Sequence, residues 1–218
     1  MTFEQVRRDH AVQVYISQAD AALKALGFTE HSFAHVSVVA ERAADILNIL
    51  GYEERTVELA RIAGYLHDIG NVVNRIDHSQ SGAVMAFRIL DRMEFPSEEI
   101  AVIISAIGNH DEGTGVPVDP VAAALIIADK TDVRRSRVRN PEDVRVDVHD
   151  RVNYSVTDSD FVVDALEKTM ILKLTVDTAI SSPMEYLEIF MKRMLLCRTA
   201  AGKLGLTFHL EINGQKLV

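Results

Sequence analysis

Leu66-His67-Asp68-Ile69-Gly70 closes an apolar run at helical spacing (Leu59, Ile62, Ala63, Leu66) and sets an imidazole beside a carboxylate at the end of that helix. Such a pair can present one nitrogen and two oxygens to neighbouring metal ions if other ligands converge on it. His35, His78, His110 and Asp129 are candidates, because each falls at a predicted helix end or on a predicted inner face.

Working outward, the chain of 218 residues is long enough for one substantial core and a small second unit, since domains typically run about 100–200 residues. Its 48% apolar and 25% charged composition is that of a globular protein. A net charge of -9 argues against a broad nucleic-acid footprint, which needs a basic face. The single Cys197 excludes an internal disulfide. With no charged-then-apolar leader after Met1 and no apolar run near the roughly 20 residues of a bilayer span, the expectation is a cytoplasmic chain with no membrane partner.

Periodicity predicts a helix over Phe3–Leu26, stopped by Gly27, and a second from a Thr29 cap to Leu50 that carries His35 beside its apolar stripe and His31 four residues before. The third helix runs from about Glu53 to Leu66 and delivers His67-Asp68. Another, Gln80 to Met93, follows Asp77-His78-Ser79, with Asp77 or Ser79 as its cap. Pro96-Ser97-Glu98-Glu99 opens the helix that ends at Gly108-Asn109, just before His110. Asp119-Pro120 opens the helix whose spacing turns Asp129 inward.

Beyond Asn140-Pro141 the texture changes to alternation over Arg145–Thr157, with Val144, Val146, Val148, Val152, Tyr154 and Val156 apolar. Met170–Val176 reads as a second strand, Pro183–Leu204 as a helix, and Leu206–Ile212 as a strand turning at Asn213-Gly214 into Lys216-Leu217-Val218. The expected fold class is mostly α: a helical bundle over residues 1–142, then a small α+β unit over 143–218 with antiparallel strands and one helix. An apolar face or an edge of that sheet is expected to pack on the helical domain or pair with a second chain, and a homodimer is expected.

A carboxylate flanked by Ile126, Ile127, Ala128 and Val133 is costly unless paired or coordinated, so Asp129 needs a metal ion or a cation such as Arg134 or Arg135. Ligation by nitrogen and oxygen without thiolate favours iron, manganese, zinc or magnesium over a structural cysteine-type zinc site.

The order His35, His67-Asp68, Asp129 resembles the HD superfamily of metal-dependent phosphohydrolases over roughly residues 30–140. His35-Val36-Ser37-Val38-Val39-Ala40 resembles that family's opening helix, Leu66-His67-Asp68-Ile69-Gly70 its signature, and Ile127-Ala128-Asp129 its closing element. The added His78 and His110 resemble the subset with two metal ions, among them HD-GYP phosphodiesterases and HD-type diadenosine tetraphosphate hydrolases. Two departures stand out. Asn71 occupies a position where many members have Lys, so a phosphate-facing cation is either missing or supplied by Lys130 or Arg75, and no Gly-Tyr-Pro element follows the His-Asp pair.

The resemblance implies a dinuclear centre with His35, His67, Asp68, His78, His110 and Asp129 as ligands, and His67 and Asp68 as its catalytic pair. Two divalent ions about 3.5–4 Å apart would hold and activate a water for attack at phosphorus, with Asp68 bridging them. The basic run Lys130, Arg134, Arg135, Arg137 and Arg139 is read either as phosphate-binding, with Arg134 and Arg137 three apart on a helix, or as cations complementing a helix C-terminus. The expected function is hydrolysis of a small phosphorylated molecule, such as a nucleotide. A di-iron oxygenase using the same ligands and a non-catalytic nucleotide sensor are the alternatives.

Overall fold

The computed structural model describes residues 1–139 and 148–217. The N-terminal two thirds is helical: α1 (Phe3–Arg8), α2 (His10–Ala25), α3 (Phe33–Ile49), α4 (Glu54–Leu66), α5 (His78–Arg92), α6 (Ser97–Gly108) and α7 (Pro120–Lys130). The expected first helix is split at Asp9, whose extended backbone breaks the run and whose carboxylate accepts from the amides of Ala11 and Val12 to cap α2. The next helix starts at Phe33 rather than at Thr29, because Ser32 takes the capping role toward Ala34. Asp119 caps α7 through Ala122, with Pro120 in its first turn.

Two close approaches bring the ligand-bearing ends together. A Cβ on Gly64 would lie 2.7 Å from the Ala40 Cα, so α4 packs on α3 at a separation only glycine permits there. After Asp68 the chain turns through a short 3-10 helix, Ile69–Val72. A Cβ on Gly70 would stand 2.0 Å from the His78 carbonyl oxygen, so this turn is pressed against the start of α5. Both glycines are therefore sites where any side chain collides with backbone.

The C-terminal part contains α8 (Val148–Ser155), β1 (Val156–Asp164), β2 (Thr169–Val176), α9 (Pro183–Lys203), β3 (Thr207–Ile212) and β4 (Gln215–Lys216). Within the described part of the strand expected over Arg145–Thr157, residues 148–155 are helical, with Val152 and Ser155 buried, and the strand begins at Val156. Asn140, Pro141, Val144, Arg145, Val146 and Val218, together with the expected 142/143 boundary, lie outside the described residues. The sheet order is β1-β2-β3-β4. The outer pairings are antiparallel as expected, whereas β2 and β3 run parallel because α9 crosses over between them. Cys197, Ala200 and Ala201 of α9 share one buried apolar cluster with Ile126 and Ile127 of α7. This docking sets α9 beside the helix that carries Asp129.

Among the described residues, no helix is long and apolar enough to cross a membrane.

Candidate metal centre

The six expected ligands come close together, five of them in two groups that share His67, with His78 beside His110 and Asp68. His35 comes from the first turn of α3, His67 and Asp68 from the end of α4, His78 from the first residue of α5, His110 from just beyond α6, and Asp129 from the last turn of α7. His35, His67 and Asp129 form one group able to hold an ion, and His67, Asp68 and His110 a second, with the candidate donor atoms of each group within 4.8 Å of one another.

Every imidazole is oriented the same way by what lies behind it. Nδ1 of His67 is 2.7 Å from the Gly64 carbonyl oxygen, that of His110 2.6 Å from Ile107 O, and that of His78 3.1 Å from Arg75 O. His35 Nδ1 lies 2.7 Å from Asp132 Oδ2. A carbonyl or carboxylate oxygen can only accept, so each Nδ1 carries a proton and each Nε2 is turned to the centre, where the neutral ring presents a lone pair.

In the neutral rings the inward nitrogens are acceptors, as the carboxylate oxygens are, and Arg75 Nη1 meets one of them, His78 Nε2, at 3.3 Å. His35 Nε2 and His67 Nε2 stand 3.5 and 3.2 Å from Asp68 Oδ2, and all three atoms are buried without a hydrogen-bond partner. His78 Nε2 faces His110 Nε2 at 3.2 Å, and Asp68 Oδ1 at 3.5 Å. Asp129 Oδ1 is 3.4 Å from His35 Nε2 and 3.7 Å from His67 Nε2. Buried acceptors that meet no donor, as at His35 Nε2, His67 Nε2 and Asp68 Oδ2, repel unless a metal ion or a proton sits among them. The residues present therefore fit divalent metal, with the all-nitrogen-and-oxygen donor set suited to a borderline or hard ion.

The charge states agree with this. Burial works against the charged form of Asp68, but His67, His31 and His78 hold its carboxyl well below the ordinary carboxylate range. Burial likewise opposes charge at Asp129, where Lys130, His35 and His67 prevail and keep it ionised. Burial, with His67 and Lys130, pushes the His110 imidazole down to about 3, so it is neutral at neutral pH and can ligate. At His67 burial favours the neutral ring, yet Asp68 and Asp129 raise its affinity for a proton: the field that draws a metal ion draws a proton in its place.

Asp129 has a partner that the spacing argument did not consider. Lys130 Nζ lies 2.7 Å from Asp129 Oδ2, while Arg134 pairs with Asp132 at 2.6 Å. The helix expected to align Arg134 with Arg137 is not formed, since α7 ends at Lys130 and only Arg135–Arg137 makes a 3-10 turn. Arg135 stacks over the Tyr154 ring, 4.5 Å from its centroid. Arg137 donates to the Glu30 and Asp132 carbonyl oxygens, each at 3.0 Å, and Arg139 donates to Phe28 O at 3.1 Å. These two arginines tie down the loop ahead of α3.

A cavity of about 390 Å³ opens over Asp68, His78 and Asp129. Lys130, Arg137, Arg75 and Arg193 line it, as does His31; Arg134 and Arg135 do not. Asn71 does not face the cavity as a cation substitute. It is buried and donates to Asp68 Oδ1 at 2.9 Å, fixing the carboxylate. Asp132 and Arg193 were not anticipated. Asp132 sits in a polar stretch without periodicity, and Arg193 looks in sequence like any cation on an amphipathic helix.

The HD domain family model matches residues 30–153 of this chain. An uncharacterized protein of Methanocaldococcus jannaschii is 27% identical over 164 residues, which cover 65% of this chain and 62% of that relative. The chain thus spans less than two thirds of the relative's length. A solved structure described as a predicted HD superfamily hydrolase, from an uncultured Thermotogales bacterium, is similar with a TM-score of 0.44 at 24% identity, over 60% of this chain and 73% of that one. The family match takes in more than half of the sequence and all six residues gathered at the centre, and the chain belongs to the HD domain family.

Proposed function

We propose that the protein is a metal-dependent phosphohydrolase acting on a phosphoester or phosphoanhydride of a small molecule, such as a nucleotide, through a centre of two divalent ions. The observation that carries this reading is the stance of Asp68. Its Oδ2 faces His35 and His67 at 3.5 and 3.2 Å, while its Oδ1 faces His78 at 3.5 Å on the other side. A carboxylate with one oxygen toward each of two histidine groups suits a bridging ligand. The pattern of His78 and His110 added to the core set also resembles the two-metal subset of the family.

When bound, divalent ions supply an activated water near neutral pH and a Lewis acid for phosphoryl oxygens. The chain's own contribution is orientation and charge. Asn71 holds Asp68, and Asp132 holds the His35 ring with Nε2 inward. Lys130 stays cationic although burial opposes it, because Asp129 and Glu112 raise its proton affinity, so it can meet negative charge developing on the transferred group. Arg75 and Arg137 line the same cavity and offer donors to substrate oxygens.

The test is a screen of mononucleotides, dinucleotides, nucleoside polyphosphates and simple phosphoesters with protein stripped of metal and reloaded with iron, manganese, zinc or magnesium. Metal-dependent release of phosphate or a nucleotide product is expected for at least one class. No turnover of any of them with any ion would overturn the proposal.

A further inference from the structure

Arg193 lies in α9, beyond the matched residues 30–153, yet it reaches the wall of the metal cavity. Its guanidinium carbon sits 4.6 Å from the centroid of the Phe190 ring, which is itself buried, so the group is braced from behind. In front it pairs with the Glu112 carboxylate, from the loop that follows His110. The same Glu112 oxygen lies 3.6 Å from Lys130 Nζ. One carboxylate thus holds two cations at the cavity.

The electrostatics leave room for an anion. Lys130 and Arg193 meet at the same Glu112 oxygen on the wall of the cavity. Four cationic side chains, Arg75, Lys130, Arg137 and Arg193, line it. Lys130 is paired with Asp129 at 2.7 Å and Arg137 stands 3.6 Å from Asp132, while Arg193 is held by Glu112, a carboxylate it shares with Lys130. A braced, planar guanidinium presented beside a second cation is a geometry that accepts phosphoryl oxygens in pairs.

We infer that Arg193 is a substrate-binding residue lent to the metal cavity by the C-terminal unit, and that Glu112 holds it until an anionic group of the substrate takes the carboxylate's place. The inference rests on the phosphohydrolase reading of the site. It assigns opposite signs to two neighbouring residues: removing Arg193 weakens anion binding, and neutralising Glu112 strengthens it.

The experiment is calorimetric titration of metal-loaded protein with pyrophosphate, for the wild type, Arg193→Ala, Arg193→Lys and Glu112→Gln, with steady-state kinetics on whichever phosphoester the wild type turns over. Arg193→Ala is expected to raise the pyrophosphate Kd about tenfold and to raise KM more than it lowers kcat, with Arg193→Lys in between. Glu112→Gln is expected to lower the Kd several-fold. An unchanged Kd in Arg193→Ala, no pyrophosphate binding by the wild type, or weaker binding in Glu112→Gln would each overturn the inference. If Arg193→Ala fails to fold, the sign of the Glu112→Gln change decides alone. Wild-type turnover with unaffected variants removes this inference and leaves the phosphohydrolase reading standing. Pyrophosphate binding with the expected signs but without turnover of any phosphoester does the reverse.

Discussion

Asp132 Oδ2 lies 2.7 Å from His35 Nδ1, joining a buried carboxylate just past α7 to the imidazole that opens the ligand set on α3. Arg134 grips the same carboxylate through Nε and Nη2, at 2.6 and 3.0 Å, and Arg137 stands 3.6 Å away. Burial opposes charge on Asp132, but His35, Arg134 and Arg137 hold its carboxyl far below the ordinary range. The anion fixes the His35 tautomer and makes Nε2 a stronger donor to metal. Asp132→Asn should therefore weaken metal binding by about tenfold or more, the usual size for such supporting groups. Chelator competition measures it, and an affinity equal to the wild type's would show that His35 is oriented by packing alone.

Gly70 is a packing constraint with a consequence for the site. Because an added Cβ would meet backbone atoms, the His78 carbonyl oxygen at 2.0 Å and Gly82 N at 2.4 Å, Gly70→Ala must push α5 away from the turn. Overpacking of this kind costs about 1–3 kcal/mol. For a chain of this size each kcal/mol lowers Tm by about 2–4 °C. Thermal unfolding should show that loss, and metal affinity should fall with it because His78 moves. A variant as stable as the wild type would mean the turn yields freely.

Asp129→Asn should do more than remove a ligand. Lys130, only 6% exposed, would keep Glu112 at 3.6 Å as its remaining partner. The metal-free variant is expected to lose on the order of 1–3 kcal/mol, the scale for a buried polar group deprived of its partner. Urea unfolding in excess chelator reads this out. A gain in stability with no loss of metal would identify Asp129 as a buried carboxylate that serves neither the metal nor Lys130.

Cys197 reports on the docking of α9 against α7. Burial pushes its thiol up to about 12. The thiol is then protonated at pH 8 and shielded, so a thiol-reactive dye should label native protein far more slowly than protein in denaturant. Rapid labelling of the native chain would show that α9 does not sit as described.

That the six candidate residues come together was legible partly from helix boundaries, Gly70 after the His-Asp pair and Gly108-Asn109 before His110, and partly from the helical spacing that places His35 beside an apolar stripe and turns Asp129 inward. The supporting residues were not. Asp132 is brought to His35 from a turn without period, and Arg193 reaches the cavity only because α9 docks on α7. The strand expected up to Thr157 failed where two periods coincide. Val148 and Val152 fit alternation, but Val152 and Ser155, three apart, are the pair that the helix buries, and Val148 stays exposed. The parallel pairing of β2 with β3 follows from the crossover of α9, which strand alternation does not encode.

Asp68 is proposed to help hold the divalent metal on which phosphoester hydrolysis would depend. The direct measurement is turnover of a chromogenic phosphodiester or the best substrate from the screen, by wild type and Asp68→Ala, after chelation and after reloading with divalent metal. Wild-type turnover should vanish on chelation and return with metal, while Asp68→Ala, folded by circular dichroism, should show none and hold less metal. Near-native turnover by Asp68→Ala at matched metal content would contradict it.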